Sequence, residues 1–590
     1  MERQELCFTR LDEVFEPKSA INQAGDKGHW RVVPYRTTEF AGNALVAMEG
    51  ARPQDITFAP GCTGWYRIFL QLSCIGSSCV FIKQKADPCF DYVTPGRENW
   101  DIQEMFWRCA DMTGEELTIT MRKAAEGQYT MLTGIRLVPM TDEEIREYQH
   151  RHDGTRCLYT ANDMHNLFYC TTIEEIDDTL AAVCPYENSD AEWVAFEEIR
   201  HFASGLCPTD PDDFAFYRNG DRNLQKQLPR FDYDEVLRRV CAIARSLGIR
   251  PVISMRMGAS GLCFPYNKCY FDDDFALSHP ELHCVDRDGR VIPHLSYAFP
   301  EVRARWINDL VHDAQLGCDA LCLIFHRAPP FTLYEKPFAD LFRARYGEDP
   351  YVYPLDDPRI NTIHCEIMTT FFRELRQALD NSGNRHVEIH IRGQYSIHDC
   401  KAVGLDCEQL LREGLVNAIT SFPQRVFEVF EDSVWADETH TRLDIDRFRD
   451  SSFRGGSKVE YWSDGDFPTQ YKNSRGQLVG PESGDARIRE WVALERKYGV
   501  PVYIEIFPRC MEVGLFREKI RTLYDAGITH ISLWDTYSRI WNRPMWNAIR
   551  DAGNPETVRT VDLDTERNRT LRIVDWGGMD IGRYNPIFVG

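Results

Sequence analysis

The sequence has little positive charge for its length. Its 590 residues contain 68 Lys and Arg against 91 Asp and Glu, so the formal net charge at pH 7 is -23. Nucleic acids and anionic membrane surfaces attract basic proteins, because Lys and Arg neutralise their phosphate groups. The charge balance therefore argues against both partners. It favours a substrate that is neutral or is held by a local group of basic residues.

Long apolar runs are missing as well. No stretch reaches the roughly 18 apolar residues that suggest a membrane span. The first residues, MERQELCFTRLDEVFE, lack the apolar core of a signal peptide. We therefore expect no membrane partner and no export, and we predict a cytoplasmic location.

The 20 cysteines lack the spacing of a metal or redox motif. There is no CxxC pair, and close pairs such as Cys318 and Cys322 lack the second half of a zinc site. In a cytoplasmic protein they are expected to be reduced thiols that pack as small apolar side chains. We predict neither a structural metal nor a cofactor.

Residues 1–140 have the alternating pattern of a β-sandwich, of the jelly-roll kind. Short runs alternate apolar and polar residues between Gly, Pro and Ser turns. The clearest runs are residues 63–72, 79–86, 117–124 and 131–140. Residues 141–154 then predict a charged linker helix, because Thr141 and Glu144 have the spacing of a capping box.

Residues 155–550 change to apolar strands that alternate with amphipathic helices, which is typical of a parallel sheet. Eight strands are predicted, at 157–163, 192–198, 250–257, 320–327, 386–393, 415–422, 500–509 and 530–536. Helices are predicted at 233–248, 301–317, 367–383, 486–499 and 516–527. The predicted fold is therefore α/β, a (β/α)8 TIM barrel.

The tail, residues 551–590, contains two more β-like runs, 557–563 and 570–576, with no helix between them. Such strands cannot extend a closed barrel. We predict that they form a C-terminal β extension that returns to the sandwich and joins the two domains.

Strand parity predicts which side chains face the barrel lumen, because alternate residues of a barrel strand point inward. In VPVYIEIFPR the isoleucines fit the helix side, which turns Tyr503 and Glu505 inward. In HVEIHIRG the same argument turns Glu388, His390 and Arg392 inward. A carboxylate in an apolar strand is costly unless it is paired or functional.

The carboxyl ends of the strands line the active site of a TIM barrel. The carboxylates expected there are Asp163, Glu197, Glu505 and Asp535. The other candidates are His165, Arg256, His326, Arg327, Arg392, Arg509 and Trp534, and more aromatic residues, Tyr537, Trp541 and Trp546, follow. Carboxylates beside flat rings suit a carbohydrate substrate.

Several of these residues keep two interpretations. Glu388 lies low on its strand, where a structural ion pair with an arginine is favoured over catalysis. His326 has no second histidine nearby, which favours hydrogen bonding over metal binding. Glu505 is either catalytic or half of a structural pair, and Asp535 either acts in catalysis or holds Arg509 or Arg327.

Three segments carry a family resemblance. They are residues 338–350, residues 524–539 and residues 275–330, which read FALSHPELHCVDRDGRVIPHLSYAFPEVRARWINDLVHDAQLGCDALCLIFHRAPP. They resemble the glycosyl-hydrolase-like barrel proteins related to glycoside hydrolase family 10. The resemblance covers about residues 155–550, and the sandwich is similar to domains attached to such barrels. It implies a TIM barrel that hydrolyses O-glycosides.

This sequence departs from that family at the fourth strand. Family 10 places an acid/base glutamate there, whereas this strand ends in Ile324, Phe325, His326 and Arg327. Only the nucleophile position on the seventh strand is matched, by Glu505. The acid of a hydrolase would then have to be Asp535, Glu197 or Asp163.

Three functions remain in view. The first is a glycoside hydrolase with Glu505 as nucleophile or base, Asp535 as acid and an arginine-rich mouth that suits an acidic sugar. The second is a barrel that binds sugar without cleaving it. The third is a metal-dependent lyase or isomerase that uses His165, Glu197, His326 and His390.

The sandwich also has two interpretations. It either braces the barrel, which is favoured, or binds carbohydrate through aromatic residues expected to be exposed. These are Trp30, Trp65, Tyr92 and Trp100. The sequence also leaves open whether the chain forms a homo-oligomer.

Overall fold

A computed structural model gives the architecture of most of the chain. It describes residues 4–24, 26–48, 50–73, 78–95, 101–121, 129–153, 157–162, 189–197, 233–258, 274–326, 329–422, 471–472, 478–479, 484–506, 513–533, 543–560 and 569–577.

The N-terminal region forms two sheets. Its strands are β1 (Leu6–Phe8), β2 (Ile21–Asn22), β3 (Trp30–Thr37), β4 (Ala41–Ala47), β5 (Ile56–Phe58), β6 (Trp65–Ser73), β7 (Val80–Gln84), β8 (Asp91–Val93), β9 (Ile102–Asp111), β10 (Leu117–Thr120) and β11 (Thr130–Pro139). A short helix, α1 (Leu11–Val14), and a 3-10 turn, Lys18–Ala20, lie between the first strands. The larger sheet has the order β2-β3-β4-β11-β6-β9, with β1 beside β11, and the smaller has the order β5-β10-β7-β8.

The two sheets share one apolar core. Ile68 and Leu70 of β6 are fully buried in the same cluster as Ile82 of β7 and Ile119 of β10. The alternation of apolar and polar residues thus buries one face of each sheet against the other, as in a β-sandwich.

The predicted linker helix is present as α2 (Asp142–His150). The Thr141 hydroxyl accepts a hydrogen bond from the backbone N–H of Glu144, and the Glu144 side chain accepts one from the N–H of Thr141. Both halves of the capping box are therefore formed, which satisfies two backbone donors at the start of the helix.

Eight parallel strands close into the predicted barrel. They are β12 (Leu158–Asn162), β13 (Ala191–Glu197), β14 (Arg250–Arg256), β17 (Ala320–Ile324), β18 (Glu388–Arg392), β19 (Ala418–Ser421), β22 (Val502–Ile506) and β23 (His530–Leu533). Two hairpins lie outside the barrel wall, β15 (His283–Val285) with β16 (Val291–Leu295) and β20 (Tyr471–Lys472) with β21 (Leu478–Val479). All eight sequence-predicted strands are confirmed.

Helices cover the barrel. They are α3 (Tyr233–Ser246), α4 (Asp274–Ser278), α5 (Pro300–Ala314), α6 (Lys336–Tyr346), α7 (Pro358–Asn381), α8 (Ile397–Ala402), α9 (Cys407–Arg412), α10 (Gly484–Tyr498), α11 (Val513–Asp525) and α12 (Arg543–Arg550). Two 3-10 turns, Pro280–Leu282 and Pro350–Val352, accompany them. Gly248 and Gly499, which follow α3 and α10, have φ values of 73° and 67°, the left-handed geometry that glycine allows after a helix.

The tail differs in part from its prediction. Residues 557–560, expected as strand, belong to helix α13 (Pro555–Thr560), because Asn554 caps it by accepting from the N–H groups of Glu556 and Thr557. Residues 561–563 lie outside the described residues. The second run forms β24 (Arg569–Leu571), which pairs with β9, and β25 (Ile573–Trp576), which pairs with β3.

The thirteen cysteines that the structure describes form no disulfide bond with one another, and ten of them are buried. No helix in the described part of the chain is both long enough and apolar enough to cross a bilayer.

Candidate functional site

Ionisable side chains stand at the carboxyl ends of five barrel strands. Glu197 ends β13, Arg256 ends β14, His326 follows β17, Arg392 ends β18 and Glu505 is the penultimate residue of β22. Parity explains why they share the lumen, since the alternate residues of β22, such as Ile504, pack in the outer core beneath the helices. The inward orientation predicted for Glu505 and Arg392 is therefore confirmed by their mutual contact.

Arg392 and Glu505 form a bidentate ion pair. Nε of Arg392 donates to Oε2 of Glu505 at 2.7 Å, and Nη2 donates to Oε1. The side chains are 1% and 0% exposed. Two parallel charge-assisted hydrogen bonds fix the orientation of the carboxylate, and burial leaves water no means of screening them.

His326 and Phe422 complete this side of the mouth. Nη1 of Arg392 donates to Nε2 of His326 at 3.4 Å. The His326 ring stacks on Phe422 with 4.1 Å between centroids and 19° between planes. The Arg392 guanidinium also lies 5.2 Å from the Phe422 centroid. The arginine is thus held by a carboxylate, an imidazole and an aromatic face.

A second pair occupies the opposite side of the mouth. Nε of Arg256 contacts Oε1 of Glu197, whose side chain is 4% exposed, while that of Arg256 is 14% exposed. Each described arginine of the mouth therefore has a glutamate as its partner.

The lower end of the lumen holds another charged group. Nη2 of Arg250 donates to Oε1 of Glu388 at 2.7 Å, which is the structural pair expected for Glu388. The Tyr159 hydroxyl donates to Nδ1 of His390, and Nε2 of His390 donates to Glu388 at 3.0 Å. Burial lowers the pKa of His390, which favours this neutral form of the ring.

Apolar and aromatic side chains fill the lumen between the two ends. Tyr159, Trp193 and Tyr503 are buried there with Cys322. Burial raises the pKa of the Cys322 thiol to about 12, so it stays protonated at neutral pH. This layer separates the charged mouth from the lower end.

Six of the predicted site residues lie outside the described residues. These are Asp163, His165, Arg327, Arg509, Trp534 and Asp535. The described members come together in two groups, Glu505 with Arg392 and His326, and Glu197 with Arg256. No cluster of three or more metal-ligating side chains occurs among the described residues.

Phe422 was not among the predicted site residues. It ends the predicted sixth strand and shares the lumen cluster with Ala418. The parity argument that selected Glu505 would have selected Phe422 as well, had it been applied to this strand.

Two aromatic residues proposed for a sugar-binding sandwich are not available to a ligand. Trp30 is 0% exposed and donates through Nε1 to the carbonyl of Gln54. Tyr92 is buried against Phe81. Both rings lie in the interior, Trp30 on the buried face of β3 and Tyr92 in β8, whose three residues are all buried, which corrects the expectation that they are exposed. Trp65 is half-buried, and Trp100 lies outside the described residues.

No family model and no curated protein matches this chain. Solved structures match it at low similarity. The glycoside hydrolase domain of PelA from Pseudomonas aeruginosa is 10% identical, with a TM-score of 0.32 over 65% of this chain and 98% of that one. The α-galactosidase TtGalA from Thermus thermophilus is 12% identical, with a TM-score of 0.32 over 89% and 95%. The maltogenic α-amylase AmyB from Thermotoga neapolitana is 10% identical, with a TM-score of 0.34 over 69% and 78%. Likeness at this level carries no argument about activity.

Proposed function

We propose that this chain is a glycoside hydrolase that cleaves an oligosaccharide or glycoside at the carboxyl-end mouth of its barrel. One observation carries the proposal. Glu505, Arg392 and His326 are fully buried together at the end of the barrel where TIM barrels place their active sites. Burying charge is expensive, and a barrel that needs only stability can fill this layer with apolar side chains.

Glu505 is the proposed nucleophile or base. The charge of Arg392 favours the ionised form of a carboxylate, which is the form that either role requires. The two hydrogen bonds from Arg392 would also hold the carboxylate in one orientation toward the substrate. Asp535 is proposed as the general acid, and its position lies outside the described residues.

The substrate is proposed to stack on aromatic side chains of the mouth, including Trp534. An acidic sugar would be held by Arg327 and Arg509, because the described arginines, Arg256 and Arg392, already contact glutamates. Asp163, His165 and Glu197 would accept or donate hydrogen bonds to sugar hydroxyls.

The test is hydrolysis of a panel of neutral and acidic aryl glycosides and oligosaccharides by the wild type and by Glu505→Gln. We expect the variant to lose about 10²–10⁴-fold in kcat, which is the range for a positioned proton-transfer or nucleophilic group. Glu388→Gln is the matched control, because it removes the same charge from the lower end of the same lumen.

Unchanged turnover by Glu505→Gln would remove Glu505 from the mechanism. Equal losses in Glu505→Gln and Glu388→Gln, with equal losses of melting temperature, would show that the effect is structural.

A second function is a barrel that binds sugar without cleaving it. Two observations favour it: the fourth strand is followed by His326 where family 10 has an acid, and both oxygens of Glu505 are engaged by Arg392. A glycan that raises the melting temperature of the wild type and is never cleaved would support this function.

A further inference from the structure

A separate cleft lies between the N-terminal sheets and the barrel. Its volume is about 420 Å³, which is within the range of small-molecule sites. Its walls come from β6, from β9 and the turn after it, from the end of β7 and the turn after it, from the linker helix α2 and from the barrel helix α12. The residues of the barrel mouth are not part of it.

The floor of the cleft is a fixed junction between the two domains. Nη1 of Arg543 donates to Asp91 at 2.8 Å, and Nη2 donates to the carbonyl of Trp107 at 2.7 Å. The Asn547 amide donates to the carbonyl of Phe106 at 3.0 Å. A pocket whose floor is held by buried hydrogen bonds is largely formed before a ligand arrives, which lowers the entropic cost of binding.

Aromatic rings supply much of the wall. Trp107 and Trp546 are buried, whereas Trp65 is half-buried beside Tyr148, with 6.1 Å between the ring centroids. The negative face of an aromatic ring attracts the weakly positive C–H groups of a pyranose ring. Buried amide side chains, Gln84 and Asn547, stand among the rings and can bind hydroxyl groups.

The charges of the wall balance. Three arginines, Arg108, Arg543 and Arg550, face three carboxylates, Asp87, Asp111 and Glu115. Arg108 and Asp87 are joined at 2.8 and 3.0 Å through Nη1. A balanced wall attracts neither anions nor cations strongly, and so it suits a neutral polar ligand.

From these features we infer that the cleft is a second binding site, for a neutral sugar of one or two rings. The sugar would lie against Trp65, with its hydroxyl groups on the amide and charged side chains of the wall. This site is distinct from the barrel mouth and does not require the chain to be a hydrolase.

The test is isothermal titration of the full chain with glucose, galactose, mannose, xylose, maltose and cellobiose. Glucuronate and inorganic phosphate serve as the anionic comparison. We expect saturable binding of at least one neutral sugar, weakened about tenfold by Trp65→Ala, which is the loss that corresponds to one aromatic contact. Trp576→Ala, a half-buried tryptophan of the same sheet outside the cleft, should bind as the wild type does.

A second pair of variants changes exposed residues, so that a loss of binding cannot be attributed to a loss of packing. Gln149→Arg places a long charged side chain at the exposed rim of the cleft and should weaken binding. Glu147→Arg, on an exposed position of the same helix that does not line the cleft, should not.

Trp65→Ala and Gln149→Arg distinguish this site from the mouth, because both residues line the cleft and neither lies in the mouth. The inference is overturned if no neutral sugar binds, if only the anions bind, or if Trp65→Ala and Gln149→Arg both bind as the wild type does.

Discussion

The two ends of the barrel lumen use the same three residue types in different surroundings. At the lower end Arg250, Glu388 and His390 interact, and the arginine and glutamate side chains are 41% and 28% exposed. At the mouth Arg392, Glu505 and His326 interact, and the ion pair is at most 1% exposed. Water screens the lower pair and not the upper one. Burying these charges therefore costs little free energy at the lower end and much more at the mouth. The mouth is also the end where function is expected.

The largest expected effect on stability is that of Arg392→Met. The variant leaves the Glu505 carboxylate buried without its counter-charge, which should lower the free energy of unfolding by about 3–5 kcal/mol. Chemical denaturation followed by tryptophan fluorescence measures this. Adding Glu505→Leu should recover part of the loss, and a double variant as unstable as the single one would contradict the account.

A smaller loss is expected from Arg250→Met at the lower end. The pair with Glu388 is partly exposed, and the guanidinium also lies 3.7 Å from the ring centroid of Trp193. The two contacts together should contribute about 1–2 kcal/mol. The comparison between the ends fails if denaturation shows the same loss for Arg250→Met and Arg392→Met.

Thr141→Ala should lower the stability of the protein at a site outside the barrel lumen. It removes the side-chain acceptor that caps α2 and should cost about 1 kcal/mol. The melting temperature should fall, while turnover should not change. Arg392→Met and Arg250→Met should lower stability by the same amounts with and without Thr141→Ala. A change in turnover would show that the linker helix is coupled to the mouth.

The smallest expected effect is a change in the pH dependence of stability, and it arises at the lower end of the lumen. The folded pKa of His390 is lowered below 6.5, so the unfolded chain binds this proton more readily. Its contribution to stability is full above pH 6.5 and is lost progressively as the pH falls from 6.5 through the lower folded pKa. In His390→Gln, melting temperatures measured from pH 8 to 5 should fall less steeply than in the wild type.

Glu388 contributes in a lower range. Hydrogen bonding to His390 and Arg250 outweighs the effect of burial and lowers the pKa of Glu388 below 4.5. This contribution is present above pH 4.5 and is lost as the pH falls further. An unchanged pH slope in His390→Gln between pH 7 and 5 would contradict the assignment of that range to the histidine.

Strand-level features could be predicted from the sequence because they depend on neighbours along the chain. The period of two turned Glu505 and Arg392 into the lumen, and the spacing of Thr141 and Glu144 predicted the cap of α2. The position of Glu388 low on its strand was enough to predict an ion pair with an arginine, which is Arg250.

Features that join distant segments could not be predicted in this way. Arg392 and Glu505 are 113 residues apart, and nothing local in either strand selects the other as its partner. The cleft beside Trp65 depends on how α12 docks on β9. The start of α7 at Pro358 and the helix after Asn554 do have a local signal, a capping side chain followed by proline, but the apolar pattern indicates a later helix start and a strand at these places.

The tail strands β24 and β25 have a consequence for synthesis. They are separated by one residue, yet they pair with β9 and β3, and the backbone N–H of Ile573 donates to the Asp101 side chain across 472 residues. At a synthesis rate of about 5–20 residues per second, β9 would wait on the order of a minute for its neighbour. During that interval an unpaired strand edge is open to other chains. The nascent protein should therefore be most prone to aggregate while the barrel is being made, and chains truncated before residue 569 should keep that tendency permanently.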